Sequence, residues 1–225
     1  MRPAHPHPAA FLLPQCLGRL QPRCRHAPCN WGKITCPRTG TRLADTCAAI
    51  GEADFWLKHR QRILSGLEGS ALEVCCGGGQ LVLEMLCDRL DAWGIDRSPR
   101  MVRRARQLLR RHGFDPQRIL LADVAHLPFA DGQFDSVLSG GAIALFNPAL
   151  QQAAIAEMGR VARRQVRLLE SFEKRKGFYW GRLLAFSFDG MHPIPPAAFH
   201  AAGLEVHAEW DIFGGAFSYL RCRKR

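Results

Sequence analysis

Three acids and a run of three glycines stand where this chain could hold and activate a ligand. Glu73 lies inside the apolar run "ALEVC" (71–75), just ahead of Cys75 and Cys76, and Gly77, Gly78 and Gly79 follow at once. Asp96 closes the short run "AWGID" (92–96), twenty-three residues past Glu73, and Asp123 closes "RILLADV" (118–124). A strand-to-helix turn presents backbone N–H groups at the start of a helix, and glycines there let a ligand touch the main chain. An acid at the end of the second strand can accept from both hydroxyls of a ribose.

Three ligands compete for such a turn. A dinucleotide asks for G-x-G-x-x-G, but counting from Gly77 the third position is Val82. A phosphate loop asks for Lys followed by Ser or Thr, where this chain has Gln80 and Leu81. The third, S-adenosylmethionine, carries a positive sulfur and no phosphate. It asks for a carboxylate near its amino end, a glycine turn, an acid for the ribose and a polar clamp for adenine. Glu73, Gly77 and Gly79, Asp96 and Asp123 supply these in order along the chain.

The elements that must position these residues can be read from periodicity. "DFWLKHRQRILSGL" (54–67) places Trp56, Ile63 and Leu67 on one helical face. "ALEVC", "AWGID", "RILLADV", "QFDSVLSGG" (133–141) and "QVRLLESF" (165–172) read as strands. "QLVLEMLCDRL" (80–90), "SPRMVRRARQLLRRHG" (98–113) and "PALQQAAIAEMGRVAR" (148–163) read as helices, the second with Ser98 as N-cap, Pro99 at the first helical position and Gly113 past its end. "PPAAFHAAG" (195–203) is a short helix, and "LEVHAEW" (204–210) with "AFSYLRCR" (216–223) reads as a closing hairpin. Alternation of this kind predicts a doubly wound α/β fold, a mostly parallel sheet with helices on both faces and an antiparallel strand near its C-terminal edge.

Of the formal charge of +11, seven positive charges fall in residues 1–44, which hold no acid, so the remainder is only mildly basic. That balance does not by itself indicate nucleic acid. The arginines at 103–111 and 160–167 have spacings that suit solvated helix faces, with attraction to an acidic lipid or substrate as the alternative reading. Residues 1–45 are rich in Pro, Arg and Cys and show no sustained period, so they are read as a disordered arm ahead of a single domain spanning 46–225. "AAFLLPQCLG" is short and broken by Pro14, which disfavours a secretory signal. A transit peptide should carry serine, and the first serine is Ser65. Nine cysteines, an odd number, include the adjacent Cys75 and Cys76 and match no paired zinc spacing. The expectation is a cytoplasmic, reducing setting with no metal, an organellar destination through the arm being the alternative.

With these residues in view, "LEVCCGGGQL", "GIDRSPRMVRRARQL", "LLADVAHLPFADGQFDSV" and "AEMGRVAR" together resemble the class I S-adenosylmethionine-dependent methyltransferases, in particular the small-molecule branch that includes the ubiquinone and menaquinone C-methyltransferases. The resemblance spans about residues 54–225. It implies a Rossmann-like fold of seven strands, the last antiparallel, and S-adenosylmethionine as cofactor. It implies cofactor contacts from Glu73, Val74, Cys75, Gly77, Gly79, Asp96, Arg97, Met101, Asp123, Val124, Ser139 and Gly140. Cys75 stands where the family has its first glycine, and since a β-carbon restricts positive φ, the turn is expected to differ slightly there. "ARRQ" (162–165) replaces the family's Lys-Pro-Gly-Gly turn.

A small, hydrophobic or aromatic acceptor is expected beyond the fourth and fifth strands, near Ser139–Phe146 and the aromatic-rich stretch Gly177–Pro195. Candidate bases are His126, Tyr179 and His192. No Asn/Asp-Pro-Pro-aromatic clamp follows the fourth strand, so nucleic acid is not expected as acceptor. No stretch is long and apolar enough for a membrane helix, which leaves peripheral membrane contact as the only one expected. Two other readings remain: transfer of a different group from a sulfonium donor, and a non-catalytic protein that kept the fold.

Overall fold

In the computed structural model, the described residues are 62–170, 172, 192–212 and 217–225. Seven strands form one sheet: β1 (Ser70–Val74), β2 (Asp91–Asp96), β3 (Ile119–Leu121), β4 (Phe134–Gly140), β5 (Ala162–Glu170), β6 (Leu204–Ile212) and β7 (Phe217–Lys224). The spatial order is β3-β2-β1-β4-β5-β7-β6. β1 to β5 pair in parallel, and β7 runs antiparallel to both β5 and β6. The helices are α1 (Gln80–Cys87), α2 (Pro99–Arg111), α3 (Pro148–Val161) and α4 (Pro196–Ala201). The doubly wound reading therefore holds, and the expected hairpin is β6–β7. The helix expected over 54–67 is described only from residue 62. Residues 62–64 are helical, and Ile63 and Leu67 are buried, while Trp56 lies outside the described residues.

Strand order reverses between β1 and β4. β1 turns to β2 and β3 on one side, and the chain returns to β4 and β5 on the other. Crossover helices leave from opposite faces there, so a crevice opens above the carboxyl ends of the two strands. The core follows the same division. Leu72, Val74 and Ile95 pack with α3 residues Ala154, Ile155 and Met158, while Ala71, Ala92 and Leu138 pack with Val82, Met85, Val102, Ala105 and Leu109 of α1 and α2. Alternate residues of each parallel strand are thus buried on opposite faces.

Local chemistry fixes the helix ends as the sequence suggests. Met101 N–H donates to Ser98 Oγ with Pro99 at the first turn, and Leu150 N–H donates to Asn147 Oδ1 ahead of Pro148. Two of the sequence blocks turn out to be partners. Arg160, from "AEMGRVAR", pairs with Asp131 and Glu157 and donates to the carbonyls of Leu127 and Phe129. Glu157 accepts from Leu127 N–H at 2.7 Å. The loop "LPFADGQF" is thereby stapled to α3, with Phe129 edge-on to Phe134 at its base.

Two buried ionic groups lock the foot of the sheet. The Arg167 guanidinium donates to the carbonyls of Ile63, Ser65 and Gly66, closing the end of the helical segment before β1. Asp135 accepts from the Ser70 N–H and hydroxyl and pairs with Arg163 and Arg164. A β-carbon at Gly69 would overlap the Asp135 carboxylate, so this left-handed glycine is fixed by contact as well as by conformation. The Ser70 N–H bond is the main cause of a depressed Asp135 carboxyl, with the two arginines adding to it. A depressed carboxyl contributes stability above its unfolded value and loses it as pH falls through the folded one. Asp135→Asn is expected to lower unfolding free energy by about 2 kcal/mol near neutral pH. The gap from wild type should close as denaturation is repeated from about pH 4 down to pH 2. A gap that stays constant over that range would remove the carboxylate from this account.

Candidate functional site

The glycine turn joins β1 to α1 at the reversal point. Its backbone is left-handed at three places: Cys75 (φ 55), Gly77 (φ 52) and Gly79 (φ 80). The expectation that Cys75 would avoid this region is overturned. The β-carbon accepts the conformation that glycine would make, at a cost of about 1–2 kcal/mol, because the flanking chain is fixed on both sides. Cys76 N–H donates to the Ile95 carbonyl at 2.8 Å, extending the β1–β2 pairing past Cys75, and Val74 is held between β2 and β4.

The glycines serve different ends. A β-carbon at Gly79 would stand 2.8 Å from the Ala105 β-carbon, so Gly79 lets α1 approach α2. A β-carbon at Gly94 would meet Val82, Cys76 and Ile119 within 3.0 Å, so this glycine seats α1 on β2. At Gly77 a β-carbon would point into open space, so that residue answers to its φ and to whatever approaches the turn.

Asp96 holds the turn in place. Its Oδ2 accepts from Gly77 N–H at 2.9 Å and its Oδ1 from Ser98 N–H at 2.8 Å, and the residue is 9% exposed. One carboxylate therefore ties the glycine turn to the start of α2. Each oxygen retains a second lone pair for a ligand hydroxyl. Arg97 is exposed and Met101 half-buried in the first turn that follows.

Asp123 lies two residues beyond the end of β3, not at its last residue. β3 stops at Leu121, and Ala122 N–H donates to the Asp96 carbonyl at 3.2 Å. Asp123 then closes a tight turn in which Ala125 N–H donates to its Oδ1. It remains beside Asp96 at the rim, with Val124 buried beneath.

On the β4 side the dominant group is Glu170, which the sequence reading passed over. It is wholly buried at the end of β5. Its Oε1 accepts from the Ser139 hydroxyl (2.7 Å) and from Gly141, Ala142 and Ile143 N–H (2.9–3.1 Å), and its Oε2 from Ala144 N–H (3.2 Å). Burial raises the Glu170 carboxyl, against the pull of those donors. Ser139, expected to meet a cofactor, thus gives its hydroxyl to Glu170. Glu73 is buried across the reversal point, where a β-carbon on Gly140 would lie 3.9 Å from its Oε1.

The electrostatics of the crevice are read out by Cys75. Burial pushes its thiol well above the ordinary range, and the carboxylates of Asp96, Glu170, Glu73 and Asp123 each push it further. Cys76 is raised by burial and then by Glu73 and Asp96. Asp96, Glu73, Glu170 and Asp123 thus all lie near Cys75, and the Asp96 carboxylate bound to the turn suits a cation better than a diphosphate. Protonated thiols at both cysteines also fit packing better than nucleophilic chemistry.

The candidate bases separate. His126 is exposed and acts on Glu157 of α3. His192 is exposed, but its backbone is tied in: its N–H donates to the Ala144 carbonyl at 2.7 Å and its carbonyl accepts from Gln151 Nε2 at 2.6 Å. It therefore stands beside the loop that Glu170 holds. Tyr179 and most of the aromatic stretch 177–195 lie outside the described residues. The cavity of about 550 Å³ lined by Trp93, Arg106, Arg110 and Leu120 is elsewhere, at the β3 edge of the sheet.

Residues 71–165, from β1 into β5, match the family model described as "Methyltransferase domain". The chain is 32% identical over 122 residues to an uncharacterized methyltransferase of Synechocystis sp. strain PCC 6803, a stretch that is 54% of either protein. It thus spans about half the length of that curated relative. The magnesium protoporphyrin IX methyltransferase of Synechocystis PCC 6803, solved with bound SAM, superposes with a TM-score of 0.60 at 15% identity, over 84% of this chain and 87% of that one. The [4+2]-cyclase SpnF superposes equally, with a TM-score of 0.60 at 18% identity over 77% and 83% of the two chains. Residues 71–165 therefore resemble a methyltransferase domain, and the sheet has the Rossmann-like fold of those structures.

The left-handed turn at Cys75 can be tested by substitution. Cys75→Gly should be neutral or slightly stabilising, since relief of the left-handed strain is offset by glycine's extra chain entropy of about 0.5–1 kcal/mol. Cys75→Val should lose about 2 kcal/mol relative to it, because a β-branched residue is poorly accommodated at positive φ. Equal denaturant midpoints for the two variants would contradict the observed backbone.

Proposed function

We propose that this domain transfers a methyl group from S-adenosylmethionine to a small, hydrophobic or aromatic acceptor. The observation that carries the reading is Asp96 at the end of β2, whose carboxylate ties the glycine turn to the start of α2 and keeps a lone pair on each oxygen for a ribose hydroxyl. A nucleoside bearing a cation suits that carboxylate, and a nucleoside diphosphate does not. The family match over residues 71–165 supports the same cofactor. The left-handed conformation of Cys75 adds support, since a side chain is held there in a backbone that glycine adopts more readily.

S-adenosylmethionine, when bound, supplies a methyl group already activated by its positive sulfur. The work left to the protein is to hold, orient and exclude water. In this reading Asp96 accepts from the ribose hydroxyls through the lone pairs that Gly77 and Ser98 N–H leave open. Glu73 faces the amino group, and Asp123 with Val124 borders the adenine. Arg97 and Met101 flank the ribose from the first turn of α2, while Val74, Gly79 and Gly140 shape the walls. Ser139 contributes through Glu170, which sets the loop bordering the acceptor side. Orientation of this kind can supply roughly 7–11 kcal/mol of a barrier. Positive charge disperses as the methyl group moves, so a dry, weakly polar acceptor pocket helps. His192, beside the Glu170-held loop, is the candidate to take a proton where the acceptor must lose one.

The acceptor class is supported by the resemblance to quinone C-methyltransferases and by the porphyrin named for the Synechocystis neighbour. The cyclase among the neighbours is a reminder that the fold alone does not set the chemistry. A cytoplasmic, reducing setting goes with this reading, on the odd number of cysteines and the adjacent Cys75 and Cys76.

S-adenosylhomocysteine should raise the melting temperature, by an amount equivalent to about 2.7 kcal/mol at a hundredfold excess over its Kd, and NAD should not. Asp96→Ala should abolish most of that ligand-dependent shift, whatever it does to the unliganded midpoint. Label from a methyl-tritiated donor should then pass to a small apolar compound in a cell extract. No shift with millimolar ligand would defeat the cofactor assignment. A shift without label transfer would move the reading to another sulfonium-donor reaction or to a non-catalytic role.

A further inference from the structure

The solvent face of α2 is built almost wholly of arginine. Arg100, Arg103, Arg104, Arg106, Arg110 and Arg111 share that face with Gln107, while Val102, Ala105 and Leu109 are buried on the opposite one, and the helix contains no acid. At about 100° per residue the seven positions sweep an arc of roughly 160° along a helix about 20 Å long.

Four of these arginines have no partner among the described residues. Arg103, Arg104, Arg110 and Arg111 make no side-chain hydrogen bond or ion pair with any described residue. Elsewhere the arginines are used: Arg118 on Asp91, Arg160 on Asp131 and Glu157, Arg163 and Arg164 on Asp135. Like charges three and four residues apart repel along a helix, so the arc costs the isolated fold stability that an external anionic surface would return.

We propose that this arc docks the protein on an anionic lipid surface. Two observations favour lipid over nucleic acid. The arc itself carries no aromatic side chain on which bases could stack, and Trp93, which lines the depression beside Arg106 and Arg110, already lies under the Arg118 guanidinium at 5.4 Å. Beside the arc stands an exposed leucine instead. Leu121 is 55% exposed at the end of β3, the strand whose Ile119 carbonyl accepts from Arg106. A row of cations with an apolar neighbour suits a headgroup layer.

The apolar face of α2 is committed to the core, so the helix cannot roll into the bilayer. Attachment is therefore electrostatic, reversible and salt-sensitive. Among the described residues no helix is long and apolar enough to cross a membrane. Ser98, the N-cap of α2, donates its N–H to Asp96, so docking brings the crevice to the surface in which an apolar acceptor would dissolve. Only that last consequence rests on the methyl-transfer reading.

Co-sedimentation of the full chain with vesicles tests the proposal. Wild type should pellet with phosphatidylcholine vesicles containing phosphatidylglycerol, not with phosphatidylcholine alone, and high salt should release it. The variant R103Q/R104Q/R110Q/R111Q should bind at least about tenfold more weakly, and R110Q/R111Q should fall between. Because like-charge repulsion is removed, both variants should melt no lower than wild type, and both should keep any melting shift given by S-adenosylhomocysteine. Absence of anionic-vesicle binding would overturn the proposal. So would a fourfold variant that binds as wild type does, or release of the protein from vesicles by homopolymer RNA at equal phosphate.

Discussion

The crevice exists because two buried carboxylates reach upward from strand ends and hold backbone N–H groups. Asp96 gathers Gly77 and Ser98, and so fixes the turn after β1 against the start of α2. Glu170 gathers Gly141, Ala142, Ile143 and Ala144 together with the Ser139 hydroxyl, and so fixes the loop after β4. An unpaired buried carboxylate would be expensive, and so would the N–H groups left without acceptors. Each meets the other's need, and both walls of the site are made rigid before any ligand arrives. Such preorganisation matters for a reaction whose catalysis is mostly alignment.

The acids of the site lie on its inner side. Asp96 is bound to the turn and Glu73 is buried in β1, while the cations of the neighbouring helix α2 face outward into solvent. One helix thus separates a site suited to a cation from a face suited to anions. The formal charge of the chain conceals this, since the arm and α2 carry much of the positive excess and the crevice carries none of it.

Much of this was legible in the sequence wherever the cause is local. Strands and helices appear as apolar runs and amphipathic periods, and Ser98–Pro99 and Asn147–Pro148 announce helix starts through side chains within three residues of their targets. Glu73 and Asp96 were placed correctly because strand ends are readable. Asp123 slipped past its strand because β3 stops early, at Leu121. What stayed hidden depends on distant chain. Glu170 looked like one more residue of a strand, since its donors lie 26–31 positions away. Arg167 was read among arginines of a solvated helix face; it is instead buried in β5, because the carbonyls it caps are more than a hundred residues earlier. Cys75 was expected to refuse a glycine's conformation, and the surrounding sheet overrode that preference.

The account stands or falls on where a sulfonium nucleoside sits. The most direct measurement is a crystal structure of the chain grown with S-adenosylhomocysteine. The ribose is expected over the gap between β1 and β2, with its hydroxyls in hydrogen-bond contact with Asp96 and the homocysteine chain along Gly77 toward Glu73. Ligand density confined to another part of the molecule, such as the Trp93-lined cavity at the β3 edge, would contradict it, as would a ligand in the crevice that leaves Asp96 bonded only to its own backbone.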